Sequence, residues 1–195
     1  DKDIPAPDVG TDQQTMAWIM DTYSSQFGYA VPGVVTGKPI EIGGSLGRID
    51  ATGRGVVYVI IEAAKRLGMD LDKTKTVAIQ GFGNVGYHTA KFCRERGARV
   101  VAFAVPEGAI LDPKGLDEDA VIEHRKRTGS ILEFRGVTSM TRSADALELE
   151  CDVLIPAALE NQLTGENAPR IRAKIVLEGA NGPTTPEADA VFRAK

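Results

Sequence analysis

The chain has 195 residues, 43% hydrophobic and 26% charged, ordinary proportions for a globular protein with a real core. Lys and Arg number 23 against 27 Asp and Glu, net −4, so the basic surplus that grips nucleic acid is missing. The apolar run 56–61 is far short of the ~20 residues that cross a bilayer; two cysteines make no disulfide scaffold, and two histidines make a metal cage unexpected.

The opening residues lack the character of a leader peptide, and an intracellular, cytoplasmic protein is the expectation. A mitochondrial form freed of its leader would read the same. Pro5 and Pro7 predict an extended start, because proline fixes φ and pushes its predecessor out of the helical region. A helix is expected from a cap at Asp12 to Gly28, with a stripe of Met16, Ile19, Met20, Tyr23 and Phe27. Glycine-rich chain follows over 32–47. The first 50 residues hold seven acids and three bases, which sets them apart from the balanced remainder.

From Thr52 the pattern turns regular. Helices are predicted over 52–67, 84–96, 117–128, 142–149, 160–171 and 186–193. Strands are predicted over 76–80, 99–105, 152–156 and 174–178, and 106–115 reads as a glycine- and proline-rich loop. Strands alternating with helices predict an α/β fold, a doubly wound, mostly parallel Rossmann-type sheet covered on both faces.

The sharpest motif, Gly81-Phe82-Gly83-Asn84-Val85-Gly86, follows a strand and opens a helix. In a dinucleotide site Gly81 allows the turn, Gly83 admits the pyrophosphate to the backbone, and Gly86 lets helix and strand pack. The helix start adds unpaired amides and a positive dipole end. The second strand ends in Val105 and Pro106, where an acid would take the ribose 2′-hydroxyl; Glu107 stands one step further. NAD and NADP are both admissible. Cys93 and Cys151 read as small buried groups, and Glu123 to Arg127 as a mixed charged helix face.

Several strings together resemble glutamate dehydrogenase, of the Glu/Leu/Phe/Val dehydrogenase family. They are Pro5-Ala6-Pro7-Asp8-Val9-Gly10-Thr11, Thr36-Gly37-Lys38-Pro39, Gly43-Gly44-Ser45 with Gly47-Arg48, residues 51–55, the glycine turn, residues 155–160, and Glu178-Gly179-Ala180-Asn181-Gly182-Pro183 through Glu187. The resemblance implies reversible oxidative deamination of L-glutamate to 2-oxoglutarate and ammonia with NAD or NADP. It makes Asp8 the catalytic proton shuttle and Arg48 a substrate contact. It makes Thr52, Gly81, Phe82, Gly83, Asn84, Val85, Gly86, Ala157, Ala158 and Asn181 cofactor contacts. No metal is implied. Residues 1–48 would be the end of a substrate domain and 49–195 most of the NAD(P)-binding domain. The family's full-length assemblies are commonly hexameric, so a homo-oligomer is expected.

The resemblance also places substrate-binding lysines and a serine outside these residues. The 195 residues alone are therefore expected to bind a dinucleotide without turnover. The alternative is a stand-alone dinucleotide-binding module.

Overall fold

The computed structural model describes residues 3–195, which divide into a first unit ending at Ala51 and a second running Thr52–Lys195. In the first unit, α1 (Gln13–Phe27) starts at Asp12, whose side chain accepts from the Thr15 amide while Thr15 answers to the cap backbone. It stops at Gly28 in the left-handed region (φ 74°). Of the expected stripe Met16 is buried, whereas Tyr23 and Phe27 are exposed and stack on each other with ring centroids 4.9 Å apart. The extended start is held by the Thr36 amide, which donates to the Pro5 carbonyl at 2.9 Å. At Gly37 a Cβ would fall 2.4 Å from Pro7 Cδ, and φ is +73°, so that position takes glycine on both counts.

Helix α2 (Ala51–Arg66) begins one residue earlier than expected, which puts Thr52, the first residue of the second unit, inside its first turn. Next come β1 (Thr76–Gln80), α3 (Asn84–Glu95) and β2 (Arg99–Val105), close to their expected bounds. β5 (Val153–Pro156), β6 (Ile175–Val176), α4 (Glu118–Thr128) and α5 (Pro186–Ala194) follow. With β3 (Gly108–Leu111) and β4 (Thr138–Met140), six strands form one sheet in the order β4-β3-β2-β1-β5-β6. β1 lies parallel to both β2 and β5, and β5 is parallel to β6. The chain thus leaves β1 for one side of the sheet and later returns to the other. Between β1 and β5 lies the switch point of a doubly wound sheet, where a crevice opens at the strands' carboxyl ends.

Three expectations fail. The loop 106–115 contains β3 (Gly108–Leu111), antiparallel to β2 through a turn at Pro106-Glu107, and β3 pairs in turn with β4 (Thr138–Met140). The helix at 142–149 is a 3-10 turn over Ser143–Glu148. The helix at 160–171 is replaced by loop with one short 3-10 turn at Ala168–Arg170. Its backbone is engaged elsewhere: the Asn161, Gln162 and Leu163 amides donate to the carbonyls of Gly182 and Pro183.

The sheet's two faces differ. Val77, Ile79, Phe103, Val153 and Ile155 join Val57 and Ile60 of α2, Ala90 and Cys93 of α3 and Val121 of α4 in the main core. The alternate positions Ala78 and Ala102 pack with Leu147, Leu154, Leu163 and Ala188 in a smaller core on the other face.

Candidate functional site

Three loops leave the carboxyl edges of β1, β5 and β6, and glycines draw them together. Gly81 ends β1 at φ +101°, and a Cβ there would stand 2.4 Å from the Ala157 carbonyl oxygen, just past β5. Gly179 lies beyond β6; its amide donates to the Pro156 carbonyl at 2.9 Å, and a Cβ would stand 2.9 Å from that of Ala157. Gly86 carries α3 against β1, since a Cβ would meet the Gly81 carbonyl oxygen at 2.0 Å. Gly83 is the exception: an added Cβ meets nothing within 4 Å. Its φ of −90° suits any residue, so neither crowding nor strain explains a glycine there.

The same position begins α3. The α1, α4 and α5 starts are capped by side chains of Asp12, Asp117 and Thr185, whereas Gly83 gives α3 no side-chain cap and its first turn has no acid. The positive end of the α3 dipole therefore carries no side-chain cap and no acid, which suits an anion. That geometry fits the diphosphate of a dinucleotide.

Asn84 is exposed and Val85 half-buried on the first turn of α3. Phe82 offers no side chain to this space. Its ring is 2% exposed and packs on Phe103 with centroids 4.4 Å apart, so only its backbone faces the turn. Ala158 and Asn181 are exposed on the β5 and β6 loops, with Ala157 half-buried between them and Gly81. Gly53 lets α2 approach α3 closely, for a Cβ would stand 2.7 Å from the Thr89 nitrogen; Thr52 rides on that turn. Asp8 and Arg48 belong to the first unit. Asp8 is exposed in a tight turn: its amide donates to Thr11 Oγ1 at 2.7 Å, and its carboxylate accepts from the Val9 amide at 2.7 Å. Arg48 is half-buried, its amide donating to the Ser45 carbonyl at 3.2 Å.

Sequence reasoning passed over two groups. Gln80, buried at the end of β1, donates through Nε2 to Gln162 Oε1 at 2.6 Å, joining the β1 and β5 loops. Arg125 of α4 donates from Nη1 to the Phe82 carbonyl at 2.8 Å. Glu107, exposed on the β2–β3 turn, stands at the carboxyl end of β2. Both cysteines are buried, and burial pushes the Cys93 thiol up to about 12 and that of Cys151 to about 11, which leaves them protonated at neutral pH. Among the described residues no cluster of His, Cys, Asp and Glu is arranged to hold a metal ion, and no helix is long and apolar enough to cross a membrane.

Residues 43–195 match the family described as Glutamate/Leucine/Phenylalanine/Valine dehydrogenase, and residues 1–25 match the Glu/Leu/Phe/Val dehydrogenase dimerisation domain. A cryptic catabolic NAD-specific glutamate dehydrogenase of Bacillus subtilis is 49% identical over 191 residues, 98% of this chain and 44% of that protein. A glutamate dehydrogenase of Thermotoga maritima is 50% identical over 191 residues, 97% of this chain and 45% of that protein. Among solved structures, a hetero-hexameric glutamate dehydrogenase from Thermus thermophilus, in a Leu-bound form, superposes with a TM-score of 0.92 at 44% identity, over 100% of this chain and 45% of that one. The chain therefore spans a little under half the length of the relatives it matches. On the strength of the match over 43–195, which contains the glycine turn and all three loops, the chain belongs to the Glu/Leu/Phe/Val dehydrogenase family.

Proposed function

We propose that this chain carries the dinucleotide-binding part of an enzyme that reversibly oxidises L-glutamate to 2-oxoglutarate and ammonia. The observation behind the reading is the open space at Gly83, on an uncapped, acid-free helix start at the sheet's switch point. Relatives named as glutamate dehydrogenases support the substrate. A bound nicotinamide carrier supplies the hydride acceptor. Main-chain amides at residues 83–85 hold its diphosphate, while Gly81 and Gly86 set the spacing. Ala157, Ala158 and Asn181 flank the nicotinamide end, and Thr52 meets its carboxamide. Phe82 contributes by its backbone. Arg48 receives a substrate carboxylate through its planar fork of donors. Asp8 exchanges protons with the amino group being lost, a task its turn suits by holding the carboxylate in one place.

NAD is the preferred carrier in this reading. Two relatives are named NAD-specific, and Glu107 on the exposed hairpin turn sets a negative charge where a 2′-phosphate would come. Residues 1–48 form the end of a substrate domain and residues 49–195 most of the cofactor domain, and the working protein is a homo-oligomer, a hexamer in its full-length form. The match of residues 1–25 to a dimerisation domain supports the last point.

Calorimetric titration tests the reading. NAD binds the chain saturably, NADP more weakly, and Gly83→Val abolishes both by filling the open space. Undiminished NAD binding by a folded Gly83→Val protein refutes the site. Glutamate-dependent NADH formation at 340 nm by the protein that carries this chain tests the reaction, and absence of any glutamate dependence refutes it.

A further inference from the structure

We infer that Arg125 is a positioning residue of the dinucleotide site, aiming the Gly83 amide by holding the other side of its peptide group. The inference rests on the cofactor reading above and adds to it a residue from a separate element. Arg125 sits in the last turn of α4, forty-three positions from Phe82 in sequence, and donates from Nη1 to the Phe82 carbonyl at 2.8 Å. That carbonyl and the Gly83 N–H belong to one planar peptide unit, and no cis peptide interrupts it. In a trans unit the two groups point in opposite directions. Fixing the carbonyl on Arg125 therefore fixes the Gly83 N–H away from α4.

The turn has a second anchor on the same residue. The Phe82 ring is locked into the main core against Phe103, so its side chain and its carbonyl are both held and the unit cannot easily swing. Gly83 adds less restraint: its carbonyl accepts from the Tyr87 amide at 2.9 Å, but it has no side chain to anchor, and glycine is the residue whose backbone turns most freely. Without the guanidinium, the amide's direction would rest on the least constrained residue of the turn. Arg125 also differs from its neighbours in its pairing. Lys126 is tied to Glu123 at 2.6 Å, whereas among the described residues no carboxylate forms an ion pair with Arg125. Its charge is spent on a carbonyl, which polarises the peptide and strengthens the N–H on the far side as a donor. A donor aimed in advance, and strengthened, saves the ordering that binding would otherwise require.

The experiment uses Arg125→Met, which keeps the apolar stem and removes the donor, with Arg125→Gln as the second variant should the first fail to fold. NAD, NADP, ADP and adenosine are titrated into each, beside Gly83→Val. Loss of one charge-assisted bond in the turn is expected to weaken NAD and ADP by about tenfold alike. Adenosine has no phosphate, and its affinity stays within about twofold. The Gly83 amide resonance of the free protein shifts, because the hydrogen bond to its own peptide unit is gone. Unchanged NAD affinity in both Arg125 variants, with Gly83→Val abolishing binding, overturns the positioning role and leaves the site standing. So does an equal loss for adenosine, which reports a damaged fold, or a much larger loss for NADP than for NAD, which reports direct contact with a 2′-phosphate. Intact binding by Gly83→Val instead overturns the site itself.

Discussion

Replacing Gly86 with alanine adds one methyl group where the structure has no room. The new Cβ would lie 2.0 Å from the Gly81 carbonyl oxygen and 2.8 Å from its carbon, both main-chain atoms that no side-chain rotation can clear. Ile79 Cγ2 at 3.6 Å closes the third side. The start of α3 must then withdraw from β1, and overpacking of this kind costs about 1–3 kcal/mol. Contact with backbone puts this variant at the upper end, while alanine's better helix propensity returns up to about 1 kcal/mol. A net loss of about 1–2 kcal/mol lowers Tm by about 2–8 °C for a chain of this size. Gly83→Ser is the companion. Its hydroxyl enters open space at a helix N-cap, so stability holds or rises slightly. The same hydroxyl takes amides that a diphosphate would use, so NAD affinity falls. Thermal unfolding and NAD titration on both variants read out the contrast: stability lost without a glycine at 86, affinity lost without one at 83. A Gly86→Ala protein with the parent's Tm, or a Gly83→Ser protein with the parent's affinity, refutes the division of labour.

Two further outcomes concern stability. Glu118 is fully buried, and one of its oxygens accepts from Arg94 Nε at 3.0 Å and Nη2 at 2.7 Å. Arg94→Met leaves that carboxylate without its cation and lowers stability by about 2 kcal/mol, less than the ~3–5 kcal/mol of a fully buried pair, because Arg94 is 45% exposed; an unchanged urea midpoint contradicts this. Asp152 joins three strands, accepting from the Thr76 amide at 2.9 Å and from Lys174 at 2.8 Å. Burial pushes its carboxyl up, but the bonds from Lys174 and Thr76 outweigh this and leave it below the ordinary 3.8. A carboxyl lowered by folding adds stability that is complete above its unfolded value and drains away as pH falls through the folded one. Stability should therefore drop below about pH 4 and drop less steeply in Asp152→Asn; identical pH profiles would show that Asp152 carries none of it.

Much of the fold was legible where a local signal has a local cause. Asp12 and Gly28 mark α1 because a cap and a left-handed residue act within one turn of the chain. Strands β1 and β2 show as β-branched and apolar runs because both are buried on two faces. The glycine turn is legible for the same reason, since two close backbone approaches, at Gly81 and Gly86, fall within six residues around the open position at Gly83. The failures lie where partners are distant. β4 has two exposed residues and one partly buried, so it carries no apolar pattern, and pairing with β3 alone makes it a strand. Residues 161–163 bond to 182–183 rather than to their own neighbours, which removes the helix expected there. Phe82 sits inside the motif, yet its ring belongs to the core. Arg125 looks like any cation on a polar helix, because its target lies on another element.

The unequal faces of the sheet bear on how the molecule breathes. Beneath α2, α3 and α4 the strands bury Val, Ile and Phe side chains; on the opposite side four of the buried strand positions, Ala78, Ala102, Ala104 and Ala109, are alanines beside Leu154, and they meet short 3-10 turns and a nine-residue helix. A methyl group removes far less area from water than a branched side chain, so each turn on the thin side is held by less free energy. Transient openings then begin there and leave the helical side closed. Amide protons of residues 143–149 and 168–171 exchange with solvent before those of α3, while the glycine turn, backed by the thicker layer, keeps its shape.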